Sequence, residues 1–359
     1  MSDTDAIAFI TPMDVRLIYN HIQHHAAHSG YDQLAKYVHG RPWLPGPLFR
    51  LAKRAPKRWR ERIPTDKTSW YWGDAIPREY AICARNTLLP TRTVYHFFYA
   101  ENDLRLCSRW RWRWNNRIVG SFHQPPEFLD KHVEDKGYIR GLDAAVVMAE
   151  FQIDYMAQFL PRNRVFCVPH GVDCDYWCPS PTSTRWPEPT FVFVGFWLRD
   201  VDMAKRTIHR AAELGLPARF RIVTFAERRV HFEGLPNTEL LSGISDEQLR
   251  DEYRRAHALF LPLELSTANN VVLEAMSCGT GVISTRIGGV PEYVSDDAGL
   301  LVPPKDIEAA AAAIRSLCND RSKVDALGVA ARLRAERYSW PKMGALQDEV
   351  YRKVAANRF

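Results

Sequence analysis

The segment Leu261–Glu292, LPLELSTANNVVLEAMSCGTGVISTRIGGVPE, gathers the side chains best suited to holding a ligand. Ser266, Thr267, Asn269 and Asn270 offer capping oxygens ahead of an apolar run, which predicts a helix over 270–278 closed by Gly279. The first backbone N–H groups of such a helix have no partner within it and carry partial positive charge. Amides around Asn269, Asn270 and Val271 can therefore bind an anion such as a diphosphate. Glu274 lies four residues beyond Asn270 on the same helical face. A carboxylate there can accept hydrogen bonds from vicinal sugar hydroxyls, as an acidic residue does for ribose in dinucleotide folds. An ordinary capped helix with a solvated glutamate explains the same spacing.

Three further residues sit where chain direction changes. His123 ends the apolar run IVGSF ahead of two prolines and so projects from a strand end. Ser29 and Gly30 follow a strand and open a helix, where glycine lets the backbone approach a ligand closely; a plain tight turn uses the same glycine. Two sets have zinc-ligand chemistry: His21, His24, His25 and His28 at helical spacing, and the compact group Cys167, His170, Cys174 and Cys178. The first borders a glycine turn that interrupts a helix, and Cys167 falls inside a strand, so no metal and no cofactor are expected. No G-x-G-x-x-G follows a strand, which argues against a nicotinamide enzyme.

These residues need elements to position them. The second half alternates short β-rich runs (191–195, 220–225, 258–262, 281–285 and 299–302) with helical stretches near 203–214, 246–255, 270–278 and 306–317. That alternation predicts a parallel sheet covered by helices. The first half repeats it less tidily, with apolar runs at 15–19, 93–98, 117–122, 144–149 and 165–168. Residues 179–189, with four prolines, read as a linker. The expected organisation is an α/β domain over 1–185, a second over 186–335, and a helical tail over 336–359 packing back on the first. Ligands of open α/β sheets sit at the carboxyl ends of the strands, so facing domains make a cleft there.

Composition limits the classes. At 359 residues, 46% apolar and 25% charged, the chain is an ordinary globular protein of about two domains. No run approaches the length of a membrane-spanning helix, and the first ten residues carry Asp3 and Asp5 where a secretion signal carries cations. Seven scattered cysteines suit reduced thiols, and a cytoplasmic location is expected. The formal charge is +6, yet Arg41–Arg62 alone holds eight cations against Glu61. A second block, Arg105–Arg117, alternates Arg109, Arg111 and Arg113 with Trp110, Trp112 and Trp114 and contains no acid. If extended, it would put arginines on one face and tryptophans, buried or at a membrane interface, on the other. A solvated basic surface explains both blocks; the functional expectation is a peripheral contact with anionic lipid at the inner face of the membrane, or with an anionic ligand such as a lipid-linked diphosphate sugar, rather than with nucleic acid.

The motifs also resemble a known family. Glu274 with AMSCGTGVIST and the following GGVPE is similar to the donor-binding signature of GT-B glycosyltransferases of family 4, retaining enzymes that use nucleotide sugars. Ser29–Gly30, His123 in SFHQPP, HGVD at 170–173 and VGFWLRD at 194–200 fall in the family's order. The resemblance implies two Rossmann-like domains facing a cleft, and transfer of a sugar from a nucleoside-diphosphate donor to a glycan or glycolipid hydroxyl, without a metal, in polysaccharide or glycolipid assembly. It implies that His123 contacts the reacting sugar and that Arg199, supported by Lys205, pairs with the diphosphate, because the family's Arg after the strand glycine is replaced here by Phe196. The family's Glu eight residues before the helix Glu is Ser266 here, with Glu264 two residues earlier. That replacement keeps a catalytically silent sugar-nucleotide binding or scaffold protein as the alternative. Asp173-Cys174-Asp175 matches the metal pattern of the other glycosyltransferase fold, but three residues match easily by chance.

Overall fold

A computed structural model describes residues 14–20, 28–54, 75–182 and 184–357. His21, His24, His25 and the cations from Lys57 to Arg62 lie outside the described residues. Within them the chain builds two parallel six-stranded sheets. The first uses β1 (Asp14–Ile18), β2 (Arg41–Pro42), β3 (Thr93–Phe97), β4 (Arg117–Phe122), β5 (Ala144–Val147) and β6 (Val165–Cys167), in the order β2-β1-β3-β4-β5-β6. The second uses β7 (Thr190–Val194), β8 (Arg219–Val223), β9 (Thr238–Leu241), β10 (Ala258–Leu261), β11 (Val282–Thr285) and β12 (Gly299–Val302), in the order β12-β11-β10-β7-β8-β9.

Runs such as TFVFV, AAVV and ALFL are buried on both faces, as strands covered by helices on both sides must be. β9, TELL, escaped the sequence reading because it closes an edge and stays half-exposed; β2 has only two residues. Helix starts follow their caps. Asp200 accepts from Met203 N at the head of Val201–Glu213, Asn269 from Val272 N at the head of Asn270–Ser277, and Ser245 with Gln248 forms a capping box on Asp246–Arg255. Gly279, with φ +77, ends the Asn270–Ser277 helix.

Strand order fixes where a ligand can go. In the first sheet the winding reverses between β1 and β3, and in the second between β7 and β10. A crevice opens outside the carboxyl ends at such a reversal. Ser29 follows β1, His123 follows β4, Arg199 follows β7 and Ser266 follows β10, so the topology brings the candidate residues to facing crevices.

The terminal helix Trp340–Ala356 buries Trp340, Met343, Val350, Tyr351 and Val354 in one core with Val15, Leu17, Val94, Val119 and Val146 of the first sheet. Its Tyr351 hydroxyl also lies 2.6 Å from His96 Nδ1.

The Arg105–Arg117 block departs from the extended form expected. A short 3-10 turn over Cys107–Arg109 and a bend with Trp114 at φ +47 break the alternation. Its arginines go to local acids and carbonyls rather than to one face. Arg109 pairs with Asp135 at 2.6 Å, Arg113 and Arg117 with Asp143 at 3.3 and 3.6 Å, and buried Arg105 donates to the Leu104 and Glu101 carbonyls. Trp112 and Trp114 remain more than 60% exposed, so burial is not their role. Among the described residues no helix is long and apolar enough to cross a membrane.

Candidate functional site

The two crevices join into one cleft of about 1050 Å³. From the first unit it is lined by Ser29, Tyr31, Tyr99, Asn102 and His123, and from the second by Arg199, Ser266, Thr267, Asn269, Asn270, Val271 and Glu274. Of the residues expected from sequence, Gly30 stands just behind this wall at φ +101, heading a 3-10 turn (Tyr31–Lys36) rather than an α-helix. Lys205 does not line the cleft. It sits half-buried in the second turn of Val201–Glu213, the helix that Asp200 caps.

Glu274 is the deepest charge in the cleft and is not solvated. Only 5% exposed, it accepts from the Ser29 hydroxyl on one oxygen and from the Tyr253 hydroxyl on the other, the latter at 3.0 Å. Burial raises its carboxyl above the usual range, and the two hydroxyls with the Arg199 charge oppose that rise. Ser29 belongs to the first sheet's β1 loop and Glu274 to the second unit, so this bond closes the cleft floor.

Arg199 folds back on its own loop. Its Nε donates to the Val194 carbonyl and its Nη1 to the Trp197 carbonyl, both at 3.1 Å. The guanidinium lies against Gly195, where an added Cβ would come within 3.1 Å of Nη2. Gly195 is at φ +87, a left-handed backbone that glycine takes at little cost. Burial lowers the guanidinium to about 10, still cationic at neutral pH, with Tyr253 and Glu274 counteracting.

His123 is fixed from three sides. Its amide donates to Glu101 Oε1 at 2.9 Å, its Nε2 donates to the Phe98 carbonyl at 2.7 Å, and its ring meets Tyr31 and Tyr99 at 4.4 and 4.8 Å between centroids. Its own carbonyl accepts from the Thr267 hydroxyl of the second unit. Behind it, burial pushes the carboxyl of Glu101 up to about 7.

Ser266 lines the cleft, 4% exposed, and among the described residues its hydroxyl has no hydrogen-bond partner. Glu264 points away, 56% exposed and 3.9 Å from Lys305 Nζ. Gly288 and Gly289 of the GGVPE motif explain this loop. Their backbones press so close that an added Cβ would fall 2.0 Å from the Ser266 carbonyl oxygen and 2.3 Å from that of Thr267. The motif's Glu292 does not touch the cleft. It accepts from the amides of Glu150 and Phe151 at 2.6 and 3.1 Å and ties the units together.

Sequence reasoning missed Tyr253, Glu292 and Trp197. Tyr253 could have been found as the partner of Leu249, four residues earlier, on the one apolar face of the polar helix DEQLRDEYRR. Among the described residues no three His, Cys, Asp or Glu side chains converge to hold a metal ion. Asp173 is engaged by His28 Nδ1 at 2.9 Å and by the amides of Asp175 and Tyr176.

Comparison with known proteins bears on the fold and the family. Residues 188–320 match the family described as Glycosyl transferases group 1. The chain is 34% identical over 113 residues to a sulfoquinovosyl transferase of Arabidopsis thaliana, covering 30% of this chain and only 22% of that enzyme. It is 26% identical over 276 residues to the alpha-maltose-1-phosphate synthase of Mycolicibacterium smegmatis, covering 68% and 70% of the two chains. A glycosyltransferase structure from Rickettsia africae superposes with a TM-score of 0.70 at 14% identity, over 97% of this chain and 100% of that one. The facing parallel sheets and these matches give the chain the GT-B fold, with a second unit that matches the Glycosyl transferases group 1 model and resembles the glycosyltransferases of family 4.

Proposed function

We propose that the cleft binds a nucleoside-diphosphate sugar and that the chain transfers its sugar, with retention at the anomeric carbon, to a hydroxyl of a glycan or glycolipid acceptor. The observation that carries the reading is the convergence on one cleft of Arg199, the capped start of Asn270–Ser277 and the buried Glu274, which Ser29 bonds from the opposite unit. Scission of the anomeric C–O bond leaves positive charge on the sugar and negative charge on the departing diphosphate. Arg199 and the amides of Asn270 and Val271 supply the countercharge, with no metal in the step. The acceptor oxygen bonds to the anomeric carbon on the face the diphosphate leaves, and its proton passes to that leaving phosphate. His123, held by Glu101 and Phe98, positions the reacting sugar.

Glu274 suits ribose recognition because it already binds two hydroxyls, and the Ser29 hydroxyl occupies a position that a sugar hydroxyl can take over. Ser266 presents a buried unpartnered hydroxyl where the family's carboxylate is expected, and a ligand hydroxyl would satisfy it.

A thermal-shift screen with UDP, GDP and ADP and their sugars tests the donor site, since a ligand that prefers the folded state raises its apparent stability. Stabilisation by one nucleotide, lost in Arg199→Ala, supports the reading; indifference to all of them refutes it. Binding without turnover against any acceptor would favour the silent-scaffold alternative. We also propose a peripheral contact with anionic lipid at the cytoplasmic membrane face. Exposed Trp112, Trp114, Leu88 and Leu51 lie in the same unit as exposed Arg50, Lys53, Arg54 and Arg111. Cosedimentation with phosphatidylglycerol vesicles but not phosphatidylcholine vesicles checks it.

A further inference from the structure

The cleft has an aromatic feature to which the donor reading above gives no role. Trp197, on the loop after β7, lines the cleft yet is 60% exposed. Its indole meets Phe128 of the first unit, with centroids 5.8 Å apart and planes at 70°, and Phe128 in turn stacks on His132 at 4.1 Å. The backbone beneath Trp197 is tightly held. Arg199 donates to the Trp197 carbonyl, Glu264 N donates to the Leu198 carbonyl at 3.0 Å, and Leu198 takes a left-handed φ of +56 that a branched side chain rarely adopts. A strained, hydrogen-bonded loop thus presents a large aromatic face to the space between the units.

On the first unit's side the described lining of this space carries no Lys, Arg, Asp or Glu; it includes Ser29, Asn102, Gln124 and two histidines. The one arginine among the described lining residues is Arg199, on the second unit, which the proposed function assigns to the donor diphosphate; the other charges there are the acids Asp246 and Glu274. A phosphorylated acceptor entering there would leave its charge without a strong cation. A sugar ring needs none: its hydroxyls match uncharged amides and hydroxyls, and its C–H face is apolar and slightly positive, complementary to the negative face of an indole.

We propose that Trp197, backed by Phe128, is the stacking surface for the acceptor, and that the acceptor group entering the cleft is an uncharged sugar ring. The proposal rests on the glycosyltransferase reading of the cleft and adds the class of its second substrate.

Saturation-transfer NMR on the full chain tests it. The protein is loaded with whichever nucleoside diphosphate binds, and the probes are methyl glycosides of glucose, galactose, mannose and N-acetylglucosamine, with myo-inositol 1-phosphate as the charged competitor. At least one glycoside binds in preference to the phosphate. Trp197→Ala weakens it roughly tenfold, equivalent to about 1.4 kcal/mol, while Trp197→Phe restores most of the affinity and both variants keep the diphosphate affinity of the parent. Because Trp197 is largely exposed, the alanine variant folds, and its retained diphosphate binding verifies this. Preference for the phosphate, or glycoside affinity unchanged in Trp197→Ala, overturns the stacking proposal alone. Failure of every nucleoside diphosphate to bind the parent protein brings down the donor-site reading instead.

Discussion

Glu292→Ala separates an architectural role from a ligand-binding one for the acid of the GGVPE motif. The half-buried carboxylate accepts from two successive amides, Glu150 N at 2.6 Å and Phe151 N at 3.1 Å, just ahead of the Gln152–Met156 helix of the first unit. Its own carbonyl accepts from Arg334 and from the Tyr338 hydroxyl, and the next residue, Tyr293, bonds the Met148 carbonyl and the His170 amide. A hydrogen bond to a charged group nets about 1.5–3 kcal/mol. Glu150 is exposed, so water reaches one of the released amides, and the pair together should contribute about 2–3 kcal/mol rather than the full sum. Alanine therefore lowers the urea midpoint by that equivalent, and Gln, which keeps one good acceptor, by about half. Because the tie joins two units, the transition should also broaden as they begin to unfold separately. Nucleoside-diphosphate affinity, measured by calorimetry, stays within about twofold, a change of less than 1 kcal/mol. An unchanged midpoint refutes the tie. A loss of diphosphate affinity with stability intact would mean that the carboxylate belongs to the ligand.

Three further outcomes are expected. Gly288→Ala places a Cβ 2.0 Å from the Ser266 carbonyl at φ +51; it should cost at least about 1 kcal/mol from the left-handed backbone alone and, by displacing the Ser266 loop, weaken diphosphate binding, both read by thermal unfolding with and without nucleotide. Arg199→Ala should weaken diphosphate binding at least about tenfold, as loss of one charge-assisted contact does, whereas Lys205→Ala, outside the cleft, should leave it unchanged; equal effects would show that the loop rearranges on binding. Burial raises Glu101 from an ordinary 4.5 to about 7, so the unfolded chain ionises first as pH rises and stability falls between those values, by about 3 kcal/mol at 1.36 kcal/mol per unit. Glu101→Gln removes that slope, so its stability relative to the parent should improve from pH 5 to pH 8; parallel urea-midpoint profiles would contradict the assignment.

How much of this was legible in the sequence depends on the distance over which each feature is decided. Strands such as FVFVG and ALFLP and the caps Ser245, Asn269 and Gly279 act within a few residues, so local pattern predicts their elements closely. The Arg–Trp block misled because alternation is only a local signal. Asp135 and Asp143, up to 30 residues away in sequence, decide where Arg109, Arg113 and Arg117 point. The cleft residues show the same division: that Ser29, His123, Arg199 and Ser266 end up facing one space follows from strand order, whereas the state of each group there does not.

Glu274 shows what local reasoning cannot reach. Its helix position predicts a face shared with Asn270, and that face indeed turns to the cleft. Its chemistry is set by Tyr253, 21 residues back on another helix, and by Ser29, 245 residues back in the other unit. A carboxylate buried in a cleft costs free energy unless hydroxyls or cations surround it, and the protein supplies both a Ser29 and a Tyr253 hydroxyl. The consequence reaches the function. For a ligand hydroxyl to take the Ser29 position, the Ser29 hydroxyl must leave Glu274, and turning its side chain about χ1 is enough while Glu292 and Tyr293 keep the units joined. The ligand recognition proposed for Glu274 therefore competes with a hydrogen bond between the units, and a Ser29→Ala substitution should act oppositely on stability and on ligand binding. Removing the hydroxyl leaves Glu274 half-satisfied and lowers stability by about 1–3 kcal/mol, yet it frees the carboxylate for the ligand, so the stabilisation by nucleoside diphosphate should grow. A variant that loses stability without any gain in that ligand-induced shift would show that Ser29 and the ligand do not compete for Glu274.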